Sequence, residues 1–414
     1  MEIYILTDFY SLDEAYSLCG VVSEQLSMLR EYNPILIVDE AFPKSGTPWH
    51  EFKMQKIPGI PRSNSFKPPV EKDVERMRAA MSDILKSGVV ITHDMIYQPS
   101  MVGHHAAARK VAAENPNLRW LHWIHSATPC FARQHSQYFK GVFPNSKIVF
   151  PNEYDQSRVA ANYNVPESDV VFVPHSTDPV EFLMQHELSK QLAREINLLE
   201  ADVIGCYPAR LDRGKQVEIG IEIFAGIKNT GKSVRYIIFD FHSTGGDKVS
   251  YRRSLESKCA ELGLAVGREV VFVSEWRKET KYSSPRQMVK DFMTVGDLLI
   301  LPSRSETYSL VAQEAALCKN LLVLNFDFPP MRSIYGRDAL YEKFSSDIDA
   351  LSGANGRTET KYENRQDYMN RVALRAVSYL EESMTLRQFR LLRKTRNPKA
   401  VLRDYLEPLI WRGS

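Results

Sequence analysis

Short β-branched runs, each followed by a stretch of helical period, recur along this chain and set what it can fold into. They stand at residues 2–8, 34–38, 89–93, 120–125, 148–150 and 170–174. After a polar helical stretch at 183–200 the same rhythm restarts at 203–207, 234–240, 270–273, 298–301 and 321–326. Strand and helix periods in alternation predict parallel βα units. The strands are near-continuous apolar runs, as needed where helices cover both faces of a sheet. The chain therefore reads as α/β, with two Rossmann-like, doubly wound parallel-sheet domains. A length of 414 residues suits two cores better than one. The expected division is 1–178, an N-terminal domain, and 179–380, a C-terminal domain, with the linker near Pro174 to Pro179. A helical segment, 381–414, is expected to cross back towards the first domain.

Composition excludes several classes. With 43% hydrophobic and 25% charged residues the chain is an ordinary globular protein, neither disordered nor collagenous. No apolar run is long enough to span a bilayer, so no integral membrane association is expected. Nor does Met1 to Leu6 open a signal peptide. Cys19, Cys130, Cys206, Cys259 and Cys318 are dispersed, without metal-ligand spacing, and suggest a reduced, cytoplasmic setting. The net charge of +2 selects no partner by itself.

Ligands of open α/β sheets bind beyond the carboxyl ends of the strands, so two such sheets facing one another would make a cleft. Strand 203–207 runs into Pro208-Ala209-Arg210-Leu211-Asp212-Arg213-Gly214-Lys215 ahead of a helix at 217–227. Arg210 and Lys215 at a helix N-terminus favour a diphosphate, although a solvated basic turn would look the same. Farther on, Leu301-Pro302-Ser303-Arg304-Ser305-Glu306-Thr307-Tyr308-Ser309-Leu310 leads to Glu314 inside the next helix. Glu306 can orient sugar hydroxyls, the amides of Tyr308, Ser309 and Leu310 can hold phosphate, and Glu314 can accept both hydroxyls of a ribose. The bland reading makes Glu306 a cap and Glu314 a surface acid.

Taken together these segments resemble the nucleotide-binding half of retaining GT-B glycosyltransferases of family 4. Pro208-Ala209-Arg210-Leu211 with Lys215 is similar to the family's Gly-Arg-Leu...Lys stretch, and Leu301 to Glu314 to its Leu-Pro-Ser...Glu stretch. Phe172-Val173-Pro174-His175-Ser176-Thr177-Asp178-Pro179 resembles the interdomain Pro-Asn-Gly-Val-Asp stretch. The resemblance implies that Arg210 and Lys215 neutralise the donor diphosphate, Glu306 lies beside the donor sugar, and Glu314 holds the ribose. It places Ser274, Glu275 and Trp276 at the nucleoside base. His125, ending Leu121-His122-Trp123-Ile124-His125, is similar to the histidine facing the donor sugar from the first domain. The family's Gly-Gly loop after the first strand is absent; residues 8–20 form a longer polar stretch there.

The implied activity is transfer of a sugar, with retention, from a nucleotide sugar such as a UDP-sugar. Catalysis would fall to His125, Arg210, Lys215 and Glu306. No cofactor and no metal are expected, since the single Asp-x-Asp string, Asp347-Ile348-Asp349, lies away from any strand end. For the acceptor, residues 386–412 carry a net +6, through Arg387, Arg390, Arg393, Lys394, Arg396, Lys399, Arg403 and Arg412 against Asp404 and Glu407. Together with a resemblance to bacteriophage glycosyltransferases around residues 92–99 and 120–126, this suggests a hydroxymethyl pyrimidine in phage DNA. The localisation would then be the host cytoplasm. Candidate acceptor contacts are His93, Asp94, Tyr97, Trp123, Arg390 and Arg393, with Trp120, Phe131 and Tyr138 as further aromatic surfaces or as core. A solvated helix face explains the same charge, and polysaccharide, lipid or small-molecule acceptors remain open, as does a non-catalytic nucleotide-sugar-binding protein.

Overall fold

The computed structural model describes residues 1–7, 17–42, 48–59, 68–98, 101–125, 138–139, 141, 143–241, 248–281, 283–306, 309–347 and 359–411. The chain forms two compact units, Met1–Thr177 with Arg396–Ser414, and Asp178–Thr395. The chain thus passes between units at 177/178 and again at 395/396, where the sequence suggested 178/179 and 380/381.

Among the described residues unit 1 holds seven parallel strands: β1 (Ile3–Leu6), β2 (Ile35–Asp39), β3 (Lys53–Ile57), β4 (Gly88–His93), β5 (Leu118–Trp123), β6 (Ser146–Phe150) and β7 (Val170–Phe172), in the order β3-β2-β1-β4-β5-β6-β7. Side chains alternate faces, as the strand period of two requires. Ile3 and Ile5 enter one core with Val22, Leu26, Val401, Leu406 and Ile410, while Tyr4 and Leu6 enter the opposite one with Met77, Met81, Ala108 and Val111. The C-terminal segment thus seals one face, and Arg119 ties it down by donating to the Leu409 carbonyl at 2.6 Å. Strand β3 escapes sequence reading because Lys53-Met54-Gln55-Lys56-Ile57 sits at the sheet edge, where only Ile57 is buried.

Unit 2 holds six parallel strands: β8 (Val203–Arg210), β9 (Val234–Phe241), β10 (Val270–Phe272), β11 (Leu298–Leu301), β12 (Leu321–Asn325) and β13 (Leu340–Glu342), in the order β10-β9-β8-β11-β12-β13. One continuous apolar core fills both faces. The helix Val217–Asn229 lies close on the sheet because Gly205 leaves room: a Cβ there would come within 2.3 Å of the Phe224 ring. Strand β8 reaches Arg210 rather than stopping at Tyr207, since it pairs with β9 throughout, up to Arg210–Phe241. Its ladder with β11 is confined to Gly205–Leu298, so Pro208, which has no N–H, deprives no neighbour.

The helices Arg365–Glu382 and Met384–Thr395 both belong to unit 2. Here one expectation is corrected. Arg393, taken from the sequence as an anion contact, is buried, with its guanidinium on the Asp297 carboxylate at 3.0 Å and on the carbonyls of Val295 and Ala201. Its charge answers a buried acid and does not reach a ligand. Arg390 is half-buried and donates to the Leu380 carbonyl at 3.1 Å, and Lys394 pairs with Asp202. Arg403 pairs with Asp404 at 2.6 Å. Arg412 lies outside the described residues, and so do Ile348 and Asp349; Asp347 stands 3.5 Å from Arg304. Among the described residues no helix is long and apolar enough to cross a membrane.

Candidate active site

In unit 2 the strand order turns outward from β8 and β11, which are neighbours. Beyond the carboxyl ends of such a pair the loops diverge to opposite faces and leave a crevice. The crevice is present as a pocket of about 350 Å³, lined by Tyr207, Pro208, Lys215, Leu301, Glu306, Ser309, Leu310 and Val311. Its two walls are laced together. The buried Tyr207 hydroxyl donates to the Lys215 carbonyl at 3.0 Å and lies 3.4 Å from Ser303 Oγ. Gln216 donates its side-chain amide to the Pro302 carbonyl, and the Arg304 N–H donates to the Gly214 carbonyl at 2.8 Å. Across the opening the Lys215 ammonium pairs with the Glu306 carboxylate.

Backbone conformation aims both helices at this pocket. Gln216 and Ser309 precede the helices Val217–Asn229 and Leu310–Leu317, and both have left-handed φ, 47° and 61°. Such conformations cost about 1–3 kcal/mol for residues other than glycine and persist where surrounding contacts impose them. Ser309 compensates in part by accepting from the Ala312 N–H at 3.3 Å. The first-turn amides of Leu310 and Val311 have no acceptor within the helix, and both residues line the pocket, a setting that suits an anion.

Of the sequence candidates, Lys215, Glu306, Ser309 and Leu310 therefore come together. Arg210 ends β8 exposed, its guanidinium 3.3 Å from Asp212. Glu314 follows Leu310 by four residues, on the same helix face, and is paired with the exposed Arg286 at 2.7 Å. Tyr308 lies outside the described residues. Ser274, Glu275 and Trp276 follow β10 and do not line the pocket. Ser274 is buried and gives both its N–H and its hydroxyl to Asp240; burial raises the Asp240 carboxyl, and those two donors pull it back. Glu275 pairs with Arg252, while the Trp276 indole donates to Glu195 at 2.6 Å beneath the Arg277 guanidinium. Sequence reading missed Tyr207, Gln216 and Asn325. The last is buried and donates to the carbonyls of Ser303 and Ser345, fixing the loop after β11.

In unit 1 the corresponding reversal lies between β1 and β4. His93 ends β4 and is buried, with Nδ1 3.1 Å from His125 Nε2 and Nε2 2.9 Å from Gln25 Oε1. His125 Nδ1 in turn lies 3.4 Å from His175 Nε2. Burial depresses all three imidazoles; His125 falls to about 3, with the His175 ring adding to the effect. Asp94, at φ 49°, is buried and accepts from the His125 N–H at 3.0 Å, so it positions the loop after β5. Trp123 is 3% exposed and packs in the core beside His93, and it also lines a small cavity with Gln25 and His175. Trp120 is fully buried and Tyr138 packs on the core, as does Tyr97, while Phe131 lies outside the described residues. Among the described residues no three His, Cys, Asp or Glu side chains gather as metal ligands.

No family model and no curated protein sequence matches the chain. Solved structures with a related course include a glycosyltransferase from Rickettsia africae, at 14% identity over 100% of both chains and a TM-score of 0.38. Anabaena HepE in complex with UDP follows at 13% identity over 99% of both chains and a TM-score of 0.39. A UDP-forming α,α-trehalose-phosphate synthase from Burkholderia vietnamiensis shares 11% identity over 99% of both chains, with a TM-score of 0.36. Likenesses of this size leave the function to be argued from the residues themselves.

Proposed function

We propose that this chain is a glycosyltransferase that draws on a nucleoside-diphosphate sugar, a UDP-sugar, held at the β8/β11 crevice of unit 2. One observation carries the reading: a cationic loop, a loop carboxylate and the open N-terminus of a helix meet in one pocket at the strand-order reversal. The diphosphate takes Lys215 away from Glu306 and lies against the amides of Leu310 and Val311, with Arg210 at the outer edge. Glu306, once released, accepts hydrogen bonds from hydroxyls of the donor sugar. Glu314 turns from Arg286 to the ribose.

The chemistry follows from charge. As the bond between the sugar's anomeric carbon and the phosphate oxygen breaks, negative charge grows on the departing diphosphate, and fixed cations and amides there stabilise the transition state. We take attack to come from the same face, with retention: the acceptor oxygen bonds to the anomeric carbon, and its proton passes to a donor phosphate oxygen. His125, which the resemblance assigned to the donor sugar, has both ring nitrogens engaged, by His93 and by His175. The charge needed at the diphosphate comes from the chain's own cations, and we propose no metal and no cofactor.

The acceptor is a hydroxyl compound. A hydroxymethyl pyrimidine in DNA was suggested by the tail charge, and the burial of Arg393 with the pairing of Lys394 and Arg403 leaves that suggestion less to rest on. The test is a panel of UDP-, GDP-, ADP- and dTDP-sugars, scoring release of nucleoside diphosphate with glycan, lipid, small-molecule and hydroxymethylated-DNA acceptors. UDP release with product carrying the donor's anomeric configuration is expected. Donor binding without turnover on every acceptor would favour the non-catalytic alternative, and no binding of any nucleotide sugar would overturn the reading.

A further inference from the structure

The contacts that bind Gln25, His93, His125 and His175 into one line have a consequence for the outermost ring. Burial keeps the His93 and His125 rings neutral near pH 7, and the His175 ring is lowered from an ordinary value that already lies below 7. A neutral imidazole carries one N–H and one lone pair. Three rings then supply three N–H groups, and the line contains three contacts to fill: Gln25 to His93 at 2.9 Å, His93 to His125 at 3.1 Å and His125 to His175 at 3.4 Å. Each N–H is used once, so the line has a single polarity, and its inner end decides which. Gln25 presents its amide oxygen, a pure acceptor, to His93 Nε2. The N–H of His93 is therefore on Nε2, leaving Nδ1 to accept from His125 Nε2–H. His125 Nδ1 likewise accepts from His175 Nε2–H, and the lone pair left over is that of His175 Nδ1. Had Gln25 turned its NH₂ inward, every ring would reverse and His175 would show a donor instead.

We propose that Gln25, acting through His93 and His125, fixes His175 Nδ1 as a hydrogen-bond acceptor for a hydroxyl of the compound that receives the sugar. The proposal rests on the glycosyl-transfer reading for the identity of that hydroxyl, and on geometry alone for the polarity. Three further observations point the same way. The line runs outward, from Gln25 and His93, each 2% exposed, to His175 in an exposed position. His175 follows β7, at the carboxyl edge where sheets of this kind bind ligands. The His93 and His125 rings lie edge to edge and nearly coplanar, at 4° between ring planes, as an in-plane N–H···N hydrogen bond requires. Gln25 and His93, each almost wholly buried, act on His175 through the line and are positioning residues.

The polarity is measurable without turnover. In the full chain labelled with ¹⁵N-histidine, two-bond ¹⁵N–¹H correlation spectra near neutral pH distinguish Nε2–H, Nδ1–H and imidazolium rings. His93, His125 and His175 are assigned by single replacement with Asn. All three are expected as Nε2–H. Gln25→Leu, with its fold checked by circular dichroism, should shift His175 to a mixture of tautomers although two rings separate the positions. Gln25→Glu keeps an acceptor oxygen and should restore Nε2–H at His175. In transfer assays Gln25→Leu should raise KM for the sugar-receiving substrate about threefold to tenfold, the worth of one hydrogen bond, and leave the donor's KM unchanged. Nδ1–H or a charged ring at His175 in the unaltered protein overturns the proposal, as does a His175 tautomer indifferent to Gln25→Leu. If nucleotide-sugar turnover is absent while the tautomers are as stated, the glycosyl-transfer reading fails and the polarity stands.

Discussion

Lys215 and Glu306 form an ion pair across the mouth of the unit 2 pocket, each with its side chain no more than one-fifth exposed. The lysine that should hold a diphosphate is therefore shared with a carboxylate until the anion arrives. Glu306→Gln removes that competitor, and UDP affinity should rise about fivefold, the worth of a partly exposed ion pair. Turnover should fall in the same variant, because an amide oxygen accepts from the sugar hydroxyls more weakly than a carboxylate does. Lys215→Ala should weaken UDP and lower kcat by roughly 10²-fold. Titration calorimetry with UDP, beside steady-state kinetics, separates the two; equal UDP affinity in all three proteins would remove Lys215 from the phosphate site.

Glu314 poses a similar competition, with Arg286 in place of a ligand. The ribose is bound alike in ground and transition states, so Glu314→Gln should raise the donor dissociation constant and leave kcat nearly unchanged. Arg286→Ala frees Glu314 and should tighten the donor. Both effects should shrink with a 2′-deoxyribose donor, which keeps one of the two hydroxyls, and a Glu314→Gln effect undiminished there would move the ribose elsewhere.

How these residues could be read in advance differs from case to case. Lys215, Glu306 and Glu314 follow buried apolar strands, and a strand that reads as a continuous apolar run places whatever follows it at the ligand edge. Tyr207 and Gln216 gave no such signal, because one looks like core and the other like an ordinary loop residue. Their role comes from hydrogen bonds to Lys215 and Pro302 across a strand-order reversal that only the pairing reveals. Arg393 misled for the opposite reason. A basic run reads as surface, and nothing near it in sequence announces Asp297, 96 residues away. The edge strands β3 and β13 were passed over because edges need little apolar sequence.

Acid should destabilise unit 1. His122 is buried against Phe143, with its ring nitrogen 2.9 Å from Thr92 Oγ1, and burial holds its pKa down to about 3. The unfolded chain takes up that proton near pH 6.5, so between pH 6.5 and about 3 the unfolded state binds more protons and stability falls with falling pH. The slope is about 1.4 kcal/mol per pH unit for each such histidine. His93, His105 and His125 are depressed by burial too and steepen it. Urea midpoints followed by fluorescence between pH 7 and 5 should drop, since Trp49, Trp120, Trp123 and Trp411 all report on unit 1. His122→Leu should flatten the drop, and an unchanged slope would mean the ring is charged in the folded protein.

Turnover should survive chelation. Lys215 lines the unit 2 pocket, and in the function we propose it meets the diphosphate with Arg210, so that the chain's own cations face the leaving group. Initial rates in EDTA should match those in Mg²⁺ within about twofold, given that the leaving group is met by fixed charges. Complete loss, restored by Mg²⁺ or Mn²⁺, would assign the diphosphate to a metal.

DNA as acceptor can be tested separately from the fold, provided Arg393 is left alone. Breaking its buried pair with Asp297 strands a carboxylate and should cost about 3–5 kcal/mol, so any loss of activity in Arg393→Glu would report on stability. Arg387 is exposed and Arg390 half-buried on the same helix, and reversing both to Glu changes the local charge by four while leaving Asp297 satisfied. If duplex DNA is gripped there, binding should fall steeply with salt through counterion release, and the double variant should bind weakly with a shallower salt slope. Donor hydrolysis at the β8/β11 pocket should be untouched. With Arg393, Lys394 and Arg403 already answered by Asp297, Asp202 and Asp404, we expect the smaller result: little salt-dependent DNA binding, and transfer in the double variant within about twofold of the parent. Labelled sugar appearing on hydroxymethylated DNA and lost in the double variant would reverse that expectation and restore the tail as the acceptor surface.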